Sequence, residues 1–239
     1  MDEERIAKSR LHIILLVDAS KSMQGKRIKQ VDQAVADIKD YLKDLQGENA
    51  NADFHLTIIP FNNDSYFYHN ERSVNIDDLR YDGIKCGGWS NLHCAYLRLE
   101  EILLKESQGG IMPDFGGIAP ILLLLTDGHP TSKAYKDELE KLSHFPWFKV
   151  ALRYSIAVEL NDQTTMKVLQ DFVGNSGDVI SVYDSTMLQK IIKIIVLTAS
   201  KVKSTNSAIG QGSKPVEEQN HVVQQAISEA LEDADNWEW

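Results

Sequence analysis

One short stretch near the amino terminus constrains the fold of this 239-residue chain more than any other. Five apolar residues, Ile13 to Val17, are followed at once by Asp18 and then by Ser20 and Ser22. A short apolar run that ends in polar turn residues is typical of a β-strand buried on both faces of a sheet. Open α/β sheets bind their ligands just beyond the carboxyl ends of the strands. The stretch therefore predicts an α/β fold with a candidate binding loop after the first strand.

The side chains of this loop suggest a particular chemistry. Asp18, Ser20 and Ser22 offer a carboxylate and two hydroxyls, and oxygen ligands suit a hard cation such as Mg²⁺ better than Zn²⁺ or copper. The loop also has a simpler interpretation, because Asp and Ser are favoured helix N-caps and a helix is expected from Met23. Since the spacing DxSxS is a short pattern, the stretch alone leaves both interpretations open.

Beyond this loop, apolar strands alternate with amphipathic helices. Helical periodicity predicts helices at 23–45, 91–105, 133–142, 164–172 and 187–201, and strands are expected at 54–61, 66–74, 118–126, 149–158 and 179–183. This alternation indicates βαβ units. Because a short turn precedes 66–74, that strand is expected to be antiparallel. The predicted fold class is α/β, with a Rossmann-like open and mostly parallel sheet, one antiparallel edge strand and helices on both faces.

Charge and composition exclude one class of function and divide the chain. With 25 basic and 35 acidic residues the net charge is −10, whereas a protein that binds a nucleic-acid backbone usually carries the opposite sign. Residues 204–214 are rich in Ser, Gly and Asn, which is typical of a flexible linker. We therefore expect a domain at 10–201, a linker at 202–215 and an acidic tail at 216–239.

The tail combines apolar residues at helical spacing with acidic residues and two tryptophans, Trp237 and Trp239. From residue 202 onward the chain has two lysines and seven acids. Such an amphipathic segment could dock on its own domain or on a partner. A disordered tail fits the same composition, so both interpretations stay open.

The two cysteines and the amino terminus bear on the compartment. Cys86 and Cys94 do not form a CxxC motif or a disulfide framework, which favours a reducing environment, although a single disulfide between them is an alternative. The amino terminus has no signal-peptide core, and the apolar runs are shorter than the roughly 18 residues of a membrane helix. We expect a cytoplasmic protein.

Two further loops are expected to join the first at one edge of the sheet. Asp127 follows the strongly apolar run 121–125, and Ser90 follows two glycines just before a helix. Parallel strands deliver their following loops to the same edge. Two carboxylates and three hydroxyls would then meet and nearly fill the octahedral shell of Mg²⁺; the five residues are Asp18, Ser20, Ser22, Ser90 and Asp127.

These motifs resemble the von Willebrand factor A (VWA) family and its metal-ion-dependent adhesion site (MIDAS). The family pattern is DxSxS after the first strand, a Thr in a second loop and an Asp after the fourth strand. The resemblance covers roughly 10–199 and implies that Asp18, Ser20, Ser22, Ser90 and Asp127 bind Mg²⁺, Mn²⁺ or Ca²⁺. The amino-acid sequences of segments 87–92 and 125–131 most resemble those of the TerY-type VWA proteins of bacterial tellurite-resistance systems.

Ser90 departs from the family pattern, which has Thr at this position. Serine keeps the hydroxyl but lacks the methyl group that restricts χ1, so a looser rotamer is expected. If Ser90 is not the ligand, Asn91 is the nearest substitute.

The resemblance implies a protein-binding function. A Glu or Asp from a partner protein would complete the metal shell, and an associated protein phosphatase or kinase is the kind of partner implied, in tellurite resistance, stress response or phage defence. The carboxylates of the chain's own tail are another candidate, since tethering raises their effective concentration. Neither a membrane nor a nucleic acid is expected as a partner.

Three residues could contact such a partner around the metal. Trp89 could do so or could pack inward as a loop anchor. His129 could do so or could be a turn residue before Pro130. Tyr66 is the third candidate, while Lys21 could simply face solvent.

An enzymatic alternative is a metal-dependent phosphatase or hydrolase. A haloacid-dehalogenase-type phosphatase needs a second acid two residues after its first-strand Asp, but Ser20 occupies that position. The sequence contains neither GxxxxGK[ST] nor GxGxxG, so a nucleotide cradle is not supported. We therefore expect no enzymatic activity. A scaffold whose loops bind no metal is a third interpretation.

Overall fold

The computed structural model describes residues 9–48, 52–128, 130–159, 163–174, 179–182 and 186–195, together with His221, Val222, Gln225, Ala226 and Glu229. Its strands form one six-stranded sheet in the order β3-β2-β1-β4-β5-β6. The strands are β1 (Ser9–Asp18), β2 (Ala52–Phe61), β3 (Val74–Asn75), β4 (Ile121–Thr126), β5 (Leu152–Val158) and β6 (Val179–Val182).

Helices connect most of these strands. They are α1 (Lys26–Glu48), α2 (Leu92–Ile102), α3 (Tyr135–Leu142), α4 (Pro146–Val150), α5 (Gln163–Val173) and α6 (186–195). Short 3₁₀ turns lie at Lys21–Met23, Tyr68–Asn70 and Glu106–Gln108. All strand pairs are parallel except β2 with β3, so the predicted fold class is confirmed.

The two faces of the sheet bury separate apolar clusters. Alternate residues of β1 point to opposite faces, as the period of a strand requires. Ile13, Leu15 and Val17 pack with apolar residues of α1 and α6. Ile14 and Leu16 pack with residues of α2, α3 and α5. Helices therefore cover both faces, and the central runs 13–17 of β1 and 121–125 of β4 are apolar because both of their faces are buried.

The strand order places a topological switch point at the centre of the sheet. From β1 the chain runs through α1 to β2 on one side, whereas β4 pairs with the other side of β1. The helices α1 and α2 lie on opposite faces. Connections therefore diverge at the carboxyl ends of β1 and β4, which is the switch point where open α/β sheets bind ligands.

The third strand is much shorter than the predicted 66–74. Residues 68–70 form a 3₁₀ turn in which His69 and Asn70 have φ of 52° and 60°, values that an extended strand does not allow. Burial of the Tyr68 ring and its hydroxyl bonds to Asp82 and to the Gly83 carbonyl hold this turn. Only two residues remain to pair with β2, antiparallel and at the edge as predicted.

Most other boundaries differ from the sequence-based prediction by a few residues, and two of these differences concern α3 and α4. Residues 149 and 150 belong to α4 rather than to β5, because Pro146 starts a helical turn there. The helix predicted at 133–142 begins at Tyr135, with Ala134 at its N-cap position. Thr131, which precedes this helix, contacts the loop that carries Ser90, as described below.

The predicted limits of the linker (202–215) and tail (216–239) fall almost entirely outside the described residues. The five tail residues that are described have helical backbone. No helix within the described part of the chain is long and apolar enough to cross a bilayer. Cys86 and Cys94 are free thiols, and burial raises the pKa of Cys86 to about 12.

Candidate metal centre

Asp18 lies at the carboxyl end of β1 and is fully buried. Its Oδ1 accepts a hydrogen bond from the Ser20 backbone N–H at 2.8 Å. Its Oδ2 accepts one from Ser90 Oγ at 2.9 Å and one from Thr126 Oγ1 at 2.6 Å. The carboxylate is thus oriented by groups from three separate segments of the chain.

A second chain of hydrogen bonds continues from the first loop to the fourth strand. Ser20 Oγ and Ser22 Oγ are 3.0 Å apart, and Ser22 Oγ donates to Asp127 Oδ1 at 2.8 Å. Asp127 directly follows β4. Together with the bonds of Asp18, these contacts join all five predicted residues into one cluster at the carboxyl edge of the sheet.

The helix-cap interpretation of the first loop does not describe its side chains. Ser20 stands at the N-cap position of the 3₁₀ turn Lys21–Met23, but it makes no side-chain capping bond. The backbone is held from outside instead, since Lys21 N–H donates to the Gly88 carbonyl at 3.0 Å and Gly87 N–H donates to the Ala19 carbonyl at 2.8 Å. The hydroxyls therefore remain with the cluster.

Backbone contacts fix the loop that carries Ser90. Gly88 has φ of +79°, and an added Cβ there would lie 2.6 Å from Asn63 Oδ1. The same Oδ1 accepts the Trp89 N–H at 2.8 Å. Ser90 exchanges two bonds with Thr131, one from Ser90 N–H to Thr131 Oγ1 at 3.1 Å and one from Thr131 N–H to the Ser90 carbonyl at 2.8 Å.

Asn91 is not placed to substitute for Ser90. Its side-chain amide donates to the Asn63 carbonyl at 3.4 Å and to Cys94 Sγ at 3.1 Å. Ser90 Oγ donates to Asp18. Of the two alternatives left open by the sequence, Ser90 is therefore the one whose side chain joins the cluster.

The electrostatics of the two acids differ. Burial raises the pKa of Asp18, while hydrogen bonds from Thr126, Ser20 and Ser90 act in the opposite direction. Asp127 has a cationic partner, because Arg27 Nη1 donates a hydrogen bond to its Oδ2 at 2.6 Å. The Asp127 side chain is only 1% exposed and that of Arg27 is 33% exposed, so this ion pair is poorly screened by water.

The donors of the cluster fit a hard divalent cation. The described residues contain no group of three or more His, Cys, Asp and Glu side chains arranged for a metal. The cluster instead offers two carboxylates and three hydroxyls. Mg²⁺ and Ca²⁺ prefer oxygen donors. Their sites often contain only a few protein ligands, and water or an external ligand fills the remaining coordination positions. Among the described residues, no thiolate or imidazole group, which would favour a softer metal, has a hydrogen bond within this cluster.

The candidate contact residues around the cluster differ in position. Trp89 is 70% exposed and Tyr66 is 41% exposed, so the inward-packed interpretation of Trp89 is wrong. Lys21 is exposed as well. His129 lies outside the described residues.

Sequence reasoning missed three residues of this site. Thr126 orients Asp18, Thr131 binds the Ser90 loop, and Arg27 pairs with Asp127. A hydroxyl at the last position of a buried strand was a usable signal for Thr126. Arg27 gave no such signal, since its contact depends on how α1 packs against the end of β4.

The fold and the site define a class of protein: an α/β domain that has a cluster of oxygen donors at its switch point. The family model for the von Willebrand factor type A domain matches residues 12–195, so the chain belongs to this family. Domains of the family are typically metal-dependent adhesion or protein-interaction modules and are generally not enzymes.

The segments that match curated relatives make up only a small part of each relative's length. Inter-alpha-trypsin inhibitor heavy chain H1 of Sus scrofa is 28% identical over 134 residues, which are 54% of this chain and 14% of the relative. Inter-alpha-trypsin inhibitor heavy chain H4 of Bos taurus is 29% identical over 126 residues, which are 50% of this chain and 13% of the relative.

Solved structures show the same fold. Proximal thread matrix protein 1 from the mussel byssus, solved with a zinc-occupied MIDAS motif, matches with a TM-score of 0.54 at 18% identity over 81% of this chain and 48% of that one. The pilus adhesin SpaC from Lactobacillus rhamnosus GG has a TM-score of 0.54 at 12% identity, over 81% of this chain and 30% of the adhesin.

Proposed function

We propose that this chain is a metal-ion-dependent protein-binding module. Asp18, Ser20, Ser22, Ser90 and Asp127 would hold the divalent cation, for which Mg²⁺ is the first candidate and Mn²⁺ or Ca²⁺ the alternatives. The observation that supports this proposal is the single hydrogen-bonded cluster that the five residues form, through their side chains and the Ser20 backbone N–H, at the switch point of the sheet. When bound, the ion supplies positive charge that attracts a carboxylate from a partner.

The protein's own residues prepare this site in two ways. Asp18 is held by three donors, so its carboxylate does not need to reorganise when a cation arrives. Ser22 and Asp127 share a hydrogen bond across 105 positions of sequence, which keeps the first and third loops at bonding distance. A Glu or Asp side chain of a partner protein is the acid that such a site would accept.

The surroundings of the site support a protein partner. Trp89 directly precedes Ser90 and exposes most of its ring to solvent. Exposed aromatic side chains are enriched at protein interfaces, where they contribute much of the binding energy. We therefore propose that Trp89 and Tyr66 contact residues that flank the partner's acid. Tyr66 lies close in sequence to Asn63, whose side chain accepts the Trp89 N–H.

The biological setting belongs to the same proposal. The segments Gly87-Gly88-Trp89-Ser90-Asn91-Leu92 and Leu125-Thr126-Asp127-Gly128-His129-Pro130-Thr131 resemble those of TerY-type proteins. We accordingly propose a role in a bacterial tellurite-resistance, stress-response or phage-defence system, with an associated protein phosphatase or kinase as partner.

Calorimetric titration of Mg²⁺ and Mn²⁺ tests metal binding directly. The wild type should release or absorb heat at one site, and Asp18→Ala should show none, because the first carboxylate is lost. Wild type without heat would favour a metal-free scaffold. A pull-down with and without EDTA then tests whether partner capture depends on the metal.

The tail offers a second source of the carboxylate. Residues 216–239 contain seven acidic side chains. If the tail occupies the site of its own chain, deletion of 216–239 should raise the affinity for an external partner. Unchanged affinity would reject this self-occupancy.

A further inference from the structure

Arg27 contributes a positive charge to the cluster that the five proposed ligands form. It lies in the first turn of α1. Its Nη1 donates to Asp127 Oδ2 at 2.6 Å and to the Ser22 carbonyl at 3.1 Å. The guanidinium therefore contacts both the third-loop acid and the first-loop backbone, and Asp127 is almost completely shielded from water on its side of the pair.

A third charge stands behind the guanidinium. Glu159 follows β5, and its Oε2 lies 3.5 Å from Arg27 Nε. Two contacts hold Glu159 in place. Lys26 Nζ lies 2.7 Å from Glu159 Oε1, and the Glu159 backbone N–H donates to the Val182 carbonyl at 2.8 Å. Its backbone φ of 51° is in the left-handed region, which a non-glycine residue adopts only when its surroundings hold it there.

Asp127, Arg27 and Glu159 thus form a row of alternating charges that ends in the metal cluster. A divalent cation at the cluster meets two carboxylates, but Arg27 already neutralises one of them. Coulomb interactions over a few ångströms are large where water is partly excluded. The affinity of the cluster for a cation should therefore depend on how much of the Arg27 charge Glu159 offsets.

We propose that the positive charge of Arg27 lowers the affinity of the cluster for a divalent cation, and that Glu159 sets the strength of this effect. This inference rests on the proposed function, because it concerns the same site. The consequence is an ion whose charge is less completely neutralised by the protein and is more available to an external acid.

A purely supporting role for Arg27 predicts the opposite result. If the guanidinium only orients Asp127, its removal should weaken cation binding. The sign of the change in affinity therefore separates the two roles.

The test is calorimetric titration of Mg²⁺ into the 239-residue chain and four variants. We expect Arg27→Gln to bind Mg²⁺ about tenfold more tightly than the wild type and Glu159→Gln about threefold more weakly. Arg27→Lys keeps the charge and should stay within about threefold of the wild type. Lys29→Gln is the matched control, since it removes one positive charge from an exposed position of the same helix, and it should leave the affinity unchanged.

Each outcome decides the matter. Equal or weaker binding by Arg27→Gln overturns the inference, while Mg²⁺ binding by the wild type in the same series leaves the proposed function standing. Equal changes in Arg27→Gln and Lys29→Gln also overturn it, because the effect would then be one of net charge. If Arg27→Gln does not fold, a Glu159→Gln affinity equal to that of the wild type overturns it. Absence of Mg²⁺ and Mn²⁺ binding in every protein, wild type included, rejects the proposed function itself.

Discussion

At the scale of single residues, the site depends on hydroxyl groups that hold buried carboxylates. Asp18 is inaccessible to solvent, so each donor that it loses leaves charge without a partner in a region of low dielectric. Thr126 makes the shortest of the three hydrogen bonds to Asp18, and its hydroxyl also accepts the Gly128 N–H at 3.2 Å. Its hydroxyl therefore links the ends of β1 and β4.

Replacement of Thr126 tests this link. Thr126→Val keeps the shape of the side chain but removes the donor to Asp18, so it should lower the free energy of unfolding by about 1–3 kcal/mol. Urea denaturation in the presence of EDTA measures this value without a metal contribution. Thr126→Ser keeps the hydroxyl and should lose less than half as much; equal losses in both variants would argue that the methyl group matters instead.

A second residue-scale effect concerns His12 at the opposite end of β1. Burial, with the charges of His55 and Arg10, lowers the pKa of His12 from 6.5 to about 3. The folded state therefore keeps this imidazole neutral, whereas the unfolded chain binds a proton below pH 6.5. Stability is full above that pH and falls as the pH drops toward 3.

This shift predicts a measurable pH dependence. Between pH 7.5 and 5.5 the wild type should lose about 1 kcal/mol more of its free energy of unfolding than His12→Phe, in which no proton can bind. Urea denaturation at the two pH values provides the comparison. Parallel losses in the two proteins would show that His12 does not carry the linkage.

At the scale of elements, the loop before α2 determines where Ser90 lies. Gly88 adopts a left-handed conformation against the Asn63 side chain, while Gly87 has open space where a Cβ would be. Gly87 and Gly88 look alike in sequence, yet only one of them has a backbone that a side chain would strain.

The two glycines form a matched pair for mutation. Gly88→Ala should cost about 1–3 kcal/mol, from the left-handed backbone and the contact with Asn63, and should weaken Mg²⁺ binding by displacing Ser90. Gly87→Ala should change both quantities little. Urea denaturation and Mg²⁺ calorimetry on both variants give the result, and similar behaviour of the pair would contradict the loop geometry described above.

At the scale of the whole molecule, the site and the fold are coupled. Hydrogen bonds join residues of the cluster across 72, 105 and 108 positions of sequence. No short segment of the unfolded chain brings these groups together, so a cation that needs them binds the native state. Metal binding should then stabilise the entire domain.

This coupling predicts that Mg²⁺ raises global stability. At a Mg²⁺ concentration about 100 times its dissociation constant, the free energy of unfolding should rise by about 2.7 kcal/mol. Thermal or urea unfolding with Mg²⁺ and with EDTA measures the difference. The gain should disappear in Asp18→Ala, and a gain that persists there would point to ions bound elsewhere.

The general plan of the molecule could be predicted from the sequence because it follows from local patterns. The apolar runs of β1 and β4, each ended by an acid, indicated buried parallel strands and a site at their carboxyl ends. The five candidate site residues could be named because loops were expected to converge at one edge of the sheet and because the motifs resembled those of the family. Boundaries were less accurate, as the 3₁₀ turn at Tyr68–Asn70 shows, because contacts distant in sequence fixed them.

The sequence by itself determined the period of each strand and helix, the sheet's two apolar faces and the oxygen character of the candidate site. Only the tertiary structure decided that Thr126 orients Asp18 and that Thr131 binds the loop that carries Ser90. It alone also placed Arg27 between Asp127 and Glu159. The physical reason is that periodicity is a property of neighbouring residues, whereas the partner of a buried charge is set by the packing of segments that are far apart in the chain.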